Sequence, residues 1–325
     1  MMKIFITGAS GFVGGAALIK LSPNHQITAM SRSDESDKKI EAIGGTPVRC
    51  QLGSVDAAHL EGCDVVIHSA AYIGPWGSLE QYWQCNVEGT AQLLAVAKKA
   101  GVKRFIHIGT EAGCFYGQQM KGIDETYPLT TKSPYYYSRT KAEAERRVVA
   151  ANNPSTNFET LSLRPRLIWG PGDQSVLPGI AEAVRQDKFM WIGGGEALTE
   201  STYIDNLTDA IELALEKGSG GEAYFIVDEQ SHSFRELLSG MLETQNLTVP
   251  DKSIPTWLVR GMAYGMEAIW KTFNLKSDPP VTRFAAALMS VECTVNSDKA
   301  EQQLGYKPAV SMEQGFEALL QLNLS

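Results

Sequence analysis

The chain has 325 residues, is 43% hydrophobic and carries a formal net charge of -8. That composition supports a substantial core in one large domain or two smaller ones and excludes a disordered chain. The acidic balance, with no basic block, excludes a protein that tracks a nucleic-acid phosphate backbone.

The predicted elements alternate along the first half. Strands are expected at 3–7, 26–31, 46–50, 64–68, 104–108 and 158–163, with helices at 12–21, 38–43, 79–99 and 135–151 between them. The opening M-M-K-I-F-I-T-G reads as the first strand and not as a signal peptide. The long helix ends in A-K-K-A-G, with Gly101 as its C-terminal stop. Such alternation builds a parallel sheet covered by helices. After Arg164 prolines and glycines multiply, so a second, smaller lobe is expected from about residue 169. Segments at 203–206 and 223–227 read as strands that return to the first lobe, interleaving the two. No apolar run approaches the roughly 18 to 20 residues of a spanning helix. The five cysteines, Cys50, Cys63, Cys85, Cys114 and Cys293, are odd in number and lack ligand spacing. Reduced thiols in a cytoplasmic protein fit them better than disulfides or a metal site.

Directly after the first strand stands T-G-A-S-G-F-V-G, with Gly8, Gly11 and Gly14 leading into a helix. Glycines let a backbone turn tightly against a pyrophosphate, whose charge the helix N-terminus stabilises. The spacing is G-x-x-G-x-x-G, and its place between strand and helix favours a dinucleotide loop, with Ser10, Phe12 and Val13, over a plain tight turn. The second strand ends A-M-S-R-S. Ser31 and Arg32 stand where a carboxylate would hold an adenosine 2'-hydroxyl, and a guanidinium suits a 2'-phosphate. NADP(H) is therefore favoured over NAD(H), the alternative being that Arg32 is a solvated surface charge.

The stretch S-P-Y-Y-Y-S-R-T-K at 133–141 sets three phenols in a row. Residues four apart share a helix face, and of the three only Tyr137 has a lysine there, Lys141. A phenol exchanges protons poorly at neutral pH until a cation stabilises its phenolate. Tyr135 with Arg139 is the rival pair on spacing, and plain packing of all three rings is the structural alternative. Thr110 ends the fifth strand, at the sheet edge where ligands of open α/β sheets bind. It is placed to hold a substrate oxygen, or is an ordinary strand-end threonine.

Together T-G-A-S-G-F-V-G, H-S-A-A at 68–71, N-V-E-G-T at 86–90, Thr110, Tyr137-x-x-x-Lys141, L-R-P at 163–165, W-G-P-G-D at 169–173 and Y-I-D-N at 203–206 resemble the extended short-chain dehydrogenase/reductase family. The likeness implies a Rossmann-type doubly wound sheet (1–168, with returning segments near 200–227) and a smaller, mostly helical substrate lobe (169–325). It implies Tyr137 as acid/base, Lys141 as the residue that lowers its pKa and holds the cofactor ribose, and Thr110 as the substrate-positioning hydroxyl. Cofactor contacts are implied at Gln51, Leu52, Ser69, Ala70, Ala71 and Pro165, although Gln51 replaces the family's acidic adenine contact. G-P-W-G at 74–77, L-R-P-R-L-I-W-G-P-G-D at 163–173, S-T-Y-I-D-N at 201–206 and D-P-P-V-T-R-F at 278–284 resemble the 3β-hydroxysteroid dehydrogenase branch, and within it the bacterial 2-alkyl-3-oxoalkanoate reductases of olefin synthesis. Nucleotide-sugar epimerases commonly carry an arginine shortly before Y-x-D, where this chain reads L-T-E-S-T.

Trp76, Phe115, Trp169, Met190 and Trp191 crowd the expected site and suit an apolar ketone, although any one tryptophan could equally belong to the core. The expected reaction is NADPH-dependent reduction of a 3-oxo group on a bulky apolar substrate. Oxidation of a 3β-hydroxysteroid, nucleotide-sugar chemistry and a non-catalytic NADP(H)-binding sensor or scaffold are the alternatives. The segment 254–273 presents Leu258, Met262, Met266, Ile269 and Phe273 near one helical face. It is read first as a cap on the substrate cavity and second as a surface for a membrane or a partner. A homodimer and contact with another enzyme of the pathway stay open.

Overall fold

The computed structural model describes residues 1–174 and 176–324. Its frame is a seven-stranded sheet of β1 (Lys3–Thr7), β2 (Gln26–Ser31), β3 (Thr46–Arg49), β4 (Val65–His68), β5 (Arg104–Ile108), β7 (Glu159–Pro165) and the strand Glu222–Ile226. From one edge the order is Glu222–Ile226, β7, β5, β4, β1, β2, β3, and every neighbouring pair is parallel. The chain runs outward from β1 to β3 and then returns to β4 on the other side of β1. That reversal leaves a crevice above the carboxyl ends of β1 and β4.

Burial on both faces explains the uninterrupted apolar strands. Alternate residues serve opposite layers: Ile4 and Ile6 pack with Leu18 of α1 (Phe12–Leu21) and Leu207 of the helix Ile204–Ala214. Phe5 packs on the other side with Leu93 of α4 (Gly89–Lys99) and Val148 of α5 (Tyr136–Ala150). His68, inside the sheet, bridges Thr7 Oγ1 at 2.8 Å and Thr90 Oγ1 at 2.9 Å. Burial, and after it the charge of Lys141, lower its pKa to about 3, so it stays neutral.

Two expected helices differ in outline. The one expected at 79–99 is divided into α3 (Leu79–Trp83), a single π turn (Gln84–Glu88) and α4. The wide turn carries Asn86, whose amide bonds the main chain of Tyr72 on both sides and Thr140 Oγ1 at 3.2 Å. The helix expected at 38–43 is α2 (Asp34–Ala42), because Ser33 caps its first turn through the Ser36 N–H.

A smaller region holds a four-stranded sheet that includes β6 (Met120–Ile123), with helices Val176–Arg185, Phe234–Thr244, Thr256–Thr272 and Met312–Leu324. The segment 203–206 is a strand for only its first residue, and the helix Ile204–Ala214 follows. Asp228 ties this corner together. Its carboxylate accepts from Tyr203 N, Ser201 Oγ, Asn206 Nδ2 and Trp169 Nε1, although burial raises its pKa. Asp228→Ala strands four buried donors. The expected loss is about 3 kcal/mol, read as a lowered denaturation midpoint, and an unchanged midpoint would remove Asp228 from this role.

Candidate active site

The glycine loop forms because side chains do not fit. Gly8 has φ +77°, and a Cβ on Gly14 would stand 2.4 Å from the Gly8 carbonyl oxygen. Helix α1 therefore starts flush against the loop, and its N-cap, Gly11, supplies no side-chain acceptor. The first-turn N–H groups are left for a ligand. This cradle fits a dinucleotide pyrophosphate.

The loop opens into a cleft of about 1000 Å³, at the upper end of the range usual for small-ligand sites. Gly8, Ser10, Gly11, Phe12, Val13 and Gly14 line one end, followed by Arg32, Gln51, Leu52 and Ser69, Ala70 and Ala71. Thr110, Tyr137, Lys141 and Pro165 line the middle, and Trp76 the far wall. Arg32 is exposed, and among the described residues it forms no ion pair.

The structure separates the three adjacent phenols. Tyr135 precedes α5 and stacks on Phe115 with 5.6 Å between ring centroids, while Arg139 donates to the Ser133 carbonyl instead of serving that phenol. Tyr136 lies under Lys271, 5.6 Å from its ammonium. Tyr137 faces the cleft, which Thr110 also lines, and packs edge-on against Phe284 at 5.7 Å. Lys141 Nζ donates to the Ile108 carbonyl at 2.7 Å, and burial lowers its pKa to about 8.

Tyr137 departs from the sequence expectation. Burial first, and the charge of Glu111 second, push its phenol above the ordinary value. Lys141, engaged with a backbone carbonyl, does not reverse that.

Five residues of the expected site fall elsewhere. Ser31 is buried and donates to the Ser33 carbonyl. Phe115 is fully buried between Tyr135 and Phe284. Trp169 is buried with its indole N–H on Asp228, and Trp191 with its indole N–H on the Pro250 carbonyl at 2.6 Å. Each of these tryptophans has an acceptor for its N–H, so burial leaves neither indole unsatisfied. Met190 is 44% exposed and lies outside the cleft.

The residue that sequence reasoning missed is Glu111. One carboxylate oxygen accepts from Thr110 Oγ1 at 2.8 Å, and the other pairs with Arg166, whose side chain has no exposed surface. No periodicity or motif marks this role. Phe284 and Tyr72 also line the cleft, and Phe284 at least closes the D-P-P-V-T-R-F stretch. Glu111→Gln keeps the shape but removes the charge opposite Arg166. We expect kcat to fall about tenfold, equivalent to ~1.4 kcal/mol, with a smaller change in KM. Unchanged kcat would leave Glu111 with a purely structural role.

A phosphate cradle, a phenol and a lysine on one cleft define a dinucleotide-dependent oxidoreductase of the extended short-chain dehydrogenase/reductase kind. The chain belongs to the 3-beta hydroxysteroid dehydrogenase/isomerase family, whose profile matches residues 5–256. A 4-hydroxy-2-methyl-3-oxo-4-farnesyl-3,4-dihydroquinoline-1-oxide ketoreductase of Stigmatella aurantiaca is 35% identical, over 98% of this chain and 96% of its own. A 2-alkyl-3-oxoalkanoate reductase of Stenotrophomonas maltophilia is 34% identical, over 98% of both chains. Among solved structures, the UDP-glucuronic acid 4-epimerase of Bacillus cereus in complex with NAD matches with a TM-score of 0.75 over 99% of both chains, at 21% identity. The last likeness is one of fold.

Proposed function

We propose that the protein reduces the 3-oxo group of a bulky apolar substrate, of the 2-alkyl-3-oxoalkanoate class, with NADPH. The observation that carries this is one cleft lined by Tyr137, Thr110 and Lys141 together with the glycine loop and the rings of Trp76 and Phe284. When bound, the reduced nicotinamide supplies hydride to the carbonyl carbon. Lys141 has donors beyond the one given to Ile108, and these suit the nicotinamide ribose hydroxyls. Thr110 is anchored by Glu111, and Tyr137 gives its proton to the oxygen that becomes an alkoxide.

The raised phenol pKa supports the reductive direction. Tyr137 keeps its proton at neutral pH and faces an alkoxide far more basic than a phenolate. Oxidation of a 3β-hydroxysteroid would start from the phenolate, the form that burial disfavours. The sugar-nucleotide reading draws no support from the L-T-E-S-T stretch, where Glu200 is buried, accepts from the Val295 N–H and lies outside the cleft lining. The names of both relatives, a ketoreductase and a 3-oxoalkanoate reductase, agree with ketone reduction.

Tyr137→Phe should lose about 10³-fold in turnover while still binding dinucleotide. The check is consumption of reduced cofactor over a panel of long-chain β-keto acids and ketosteroids, and parental turnover in the variant would end this assignment. For the cofactor, the free guanidinium of Arg32 at the adenosine end favours a 2'-phosphate. Arg32→Ala should raise KM for NADPH at least about tenfold and leave KM for NADH nearly unchanged. Equal effects on both cofactors would withdraw the NADPH preference.

A further inference from the structure

The helix Thr256–Thr272 is turned the opposite way from a simple cap. Its buried residues are Val259 and Ala263, packed with Ile192, Ile254 and Ala286. Its polar side meets the cleft through Glu267 and Lys271. The apolar residues expected to cover the cavity point outward: Leu258 is 37% exposed, Met262 39%, Ile269 49% and Phe273 71%, beside Trp257 at 73% and Tyr264 at 65%. At roughly 100° per residue these positions span about half the helix circumference. The other residues on that half are Gly261, Gly265, Ala268 and Thr272, so it carries no charge at all.

The charges of the segment sit around that face. Arg260 and Lys271 lie together along one border, and Lys276 follows the helix end. Glu267, the one carboxylate between 256 and 276, is turned inward, where it accepts from the Arg283 N–H at 2.7 Å and pairs with Lys271 at 3.5 Å. With Arg260, Lys271 and Lys276 against Glu267 alone, this segment still carries a formal excess of positive charge in a chain of net charge -8. An apolar half bordered by cations, with Trp and Tyr at its exposed edge, matches an anionic bilayer interface. A second copy packed antiparallel on the same face would bring Arg260 and Lys271 against like charges.

We infer that this face docks the protein on the surface of an anionic lipid bilayer. The helix lies in the interface plane and does not cross, since no helix among the described residues is long and apolar enough to span. Lys271 belongs both to the docking border and to the cleft lining, so a docked protein holds the cleft mouth beside the lipid. A long-chain ketone dissolved in the bilayer then reaches Tyr137 without crossing water, a consequence that rests on the proposed reduction. The docking itself does not rest on it.

The test is sedimentation of the purified full chain with vesicles of phosphatidylcholine alone and of phosphatidylcholine and phosphatidylglycerol in equal parts. The wild type should sediment with the mixed vesicles at low salt, much less at high salt and least with phosphatidylcholine alone. The double variant Ile269→Gln with Phe273→Gln changes two outward side chains that the reaction does not use. It should bind the mixed vesicles at least about tenfold more weakly, with circular dichroism and melting unchanged. Wild type that stays in the supernatant with mixed vesicles, or a variant that sediments as well as wild type, overturns the inference. So does a wild-type dimer that the double variant converts to a monomer, because the face then belongs to a second copy. Vesicle binding by a protein that reduces no ketone would sink the proposed reaction alone.

Discussion

The Arg166 side chain has no exposed surface, and the surrounding structure is arranged to tolerate it. Moving an ammonium- or guanidinium-sized ion out of water costs several kcal/mol even after relaxation, so such a group persists only with its partners in place. Here the partners come from distant parts of the chain. Glu111 follows β5, Thr199 Oγ1 accepts from the guanidinium at 2.8 Å, and Thr202 Oγ1 accepts from the Arg166 backbone N–H at 3.0 Å. Pairing this cation through Nη1 and Nε thus holds the carboxyl edge of the large sheet against the smaller one, while its Nη2 is buried with no hydrogen-bond partner among the described residues. The other oxygen of Glu111 accepts from Thr110, so the ion pair fixes a hydroxyl on the lining of the same cleft as Tyr137.

How much of this was legible in the sequence depends on how local its cause is. Strands β1, β2 and β5 fall where the short apolar runs place them, and Gly101 stops its helix with φ +78°. The glycine loop was legible because close backbone approach admits little else. Tyr137 and Lys141 could be paired because one helical turn puts them on one face. Ser33 as a cap, and the π turn around Asn86, were not visible: the first is a choice of backbone partner, and the second exists because Asn86 reaches across to Tyr72 and Thr140.

The apolar residues show the opposite weakness. Phe115, Trp169 and Trp191 have the composition of a substrate pocket and the placement of a core, and only the tertiary partners of the indole N–H groups separate the two. The outward face of Thr256–Thr272 is the mirror case. Its periodicity is that of a helix packed on its own protein, yet the packed residues are the small Val259 and Ala263. Periodicity reveals that a helix has an apolar side; it does not say what lies opposite that side.

Fold and site also divide the labour of setting substrate class. The Bacillus cereus epimerase shares the fold at 21% identity, so sheet, loop and crevice are compatible with sugar nucleotides. Around the crevice this chain sets the rings of Trp76 and Phe284, and two cations of its lining, Lys271 and Arg283, stand beside Glu267, which pairs with Lys271 at 3.5 Å. Aromatic walls gain nothing from an anion, and a carboxylate beside the cations offsets their charge. Burial also raises the Tyr137 pKa, so under the proposed reduction the aromatic wall that takes the ketone and the phenol that keeps a proton for its oxygen belong to one cleft.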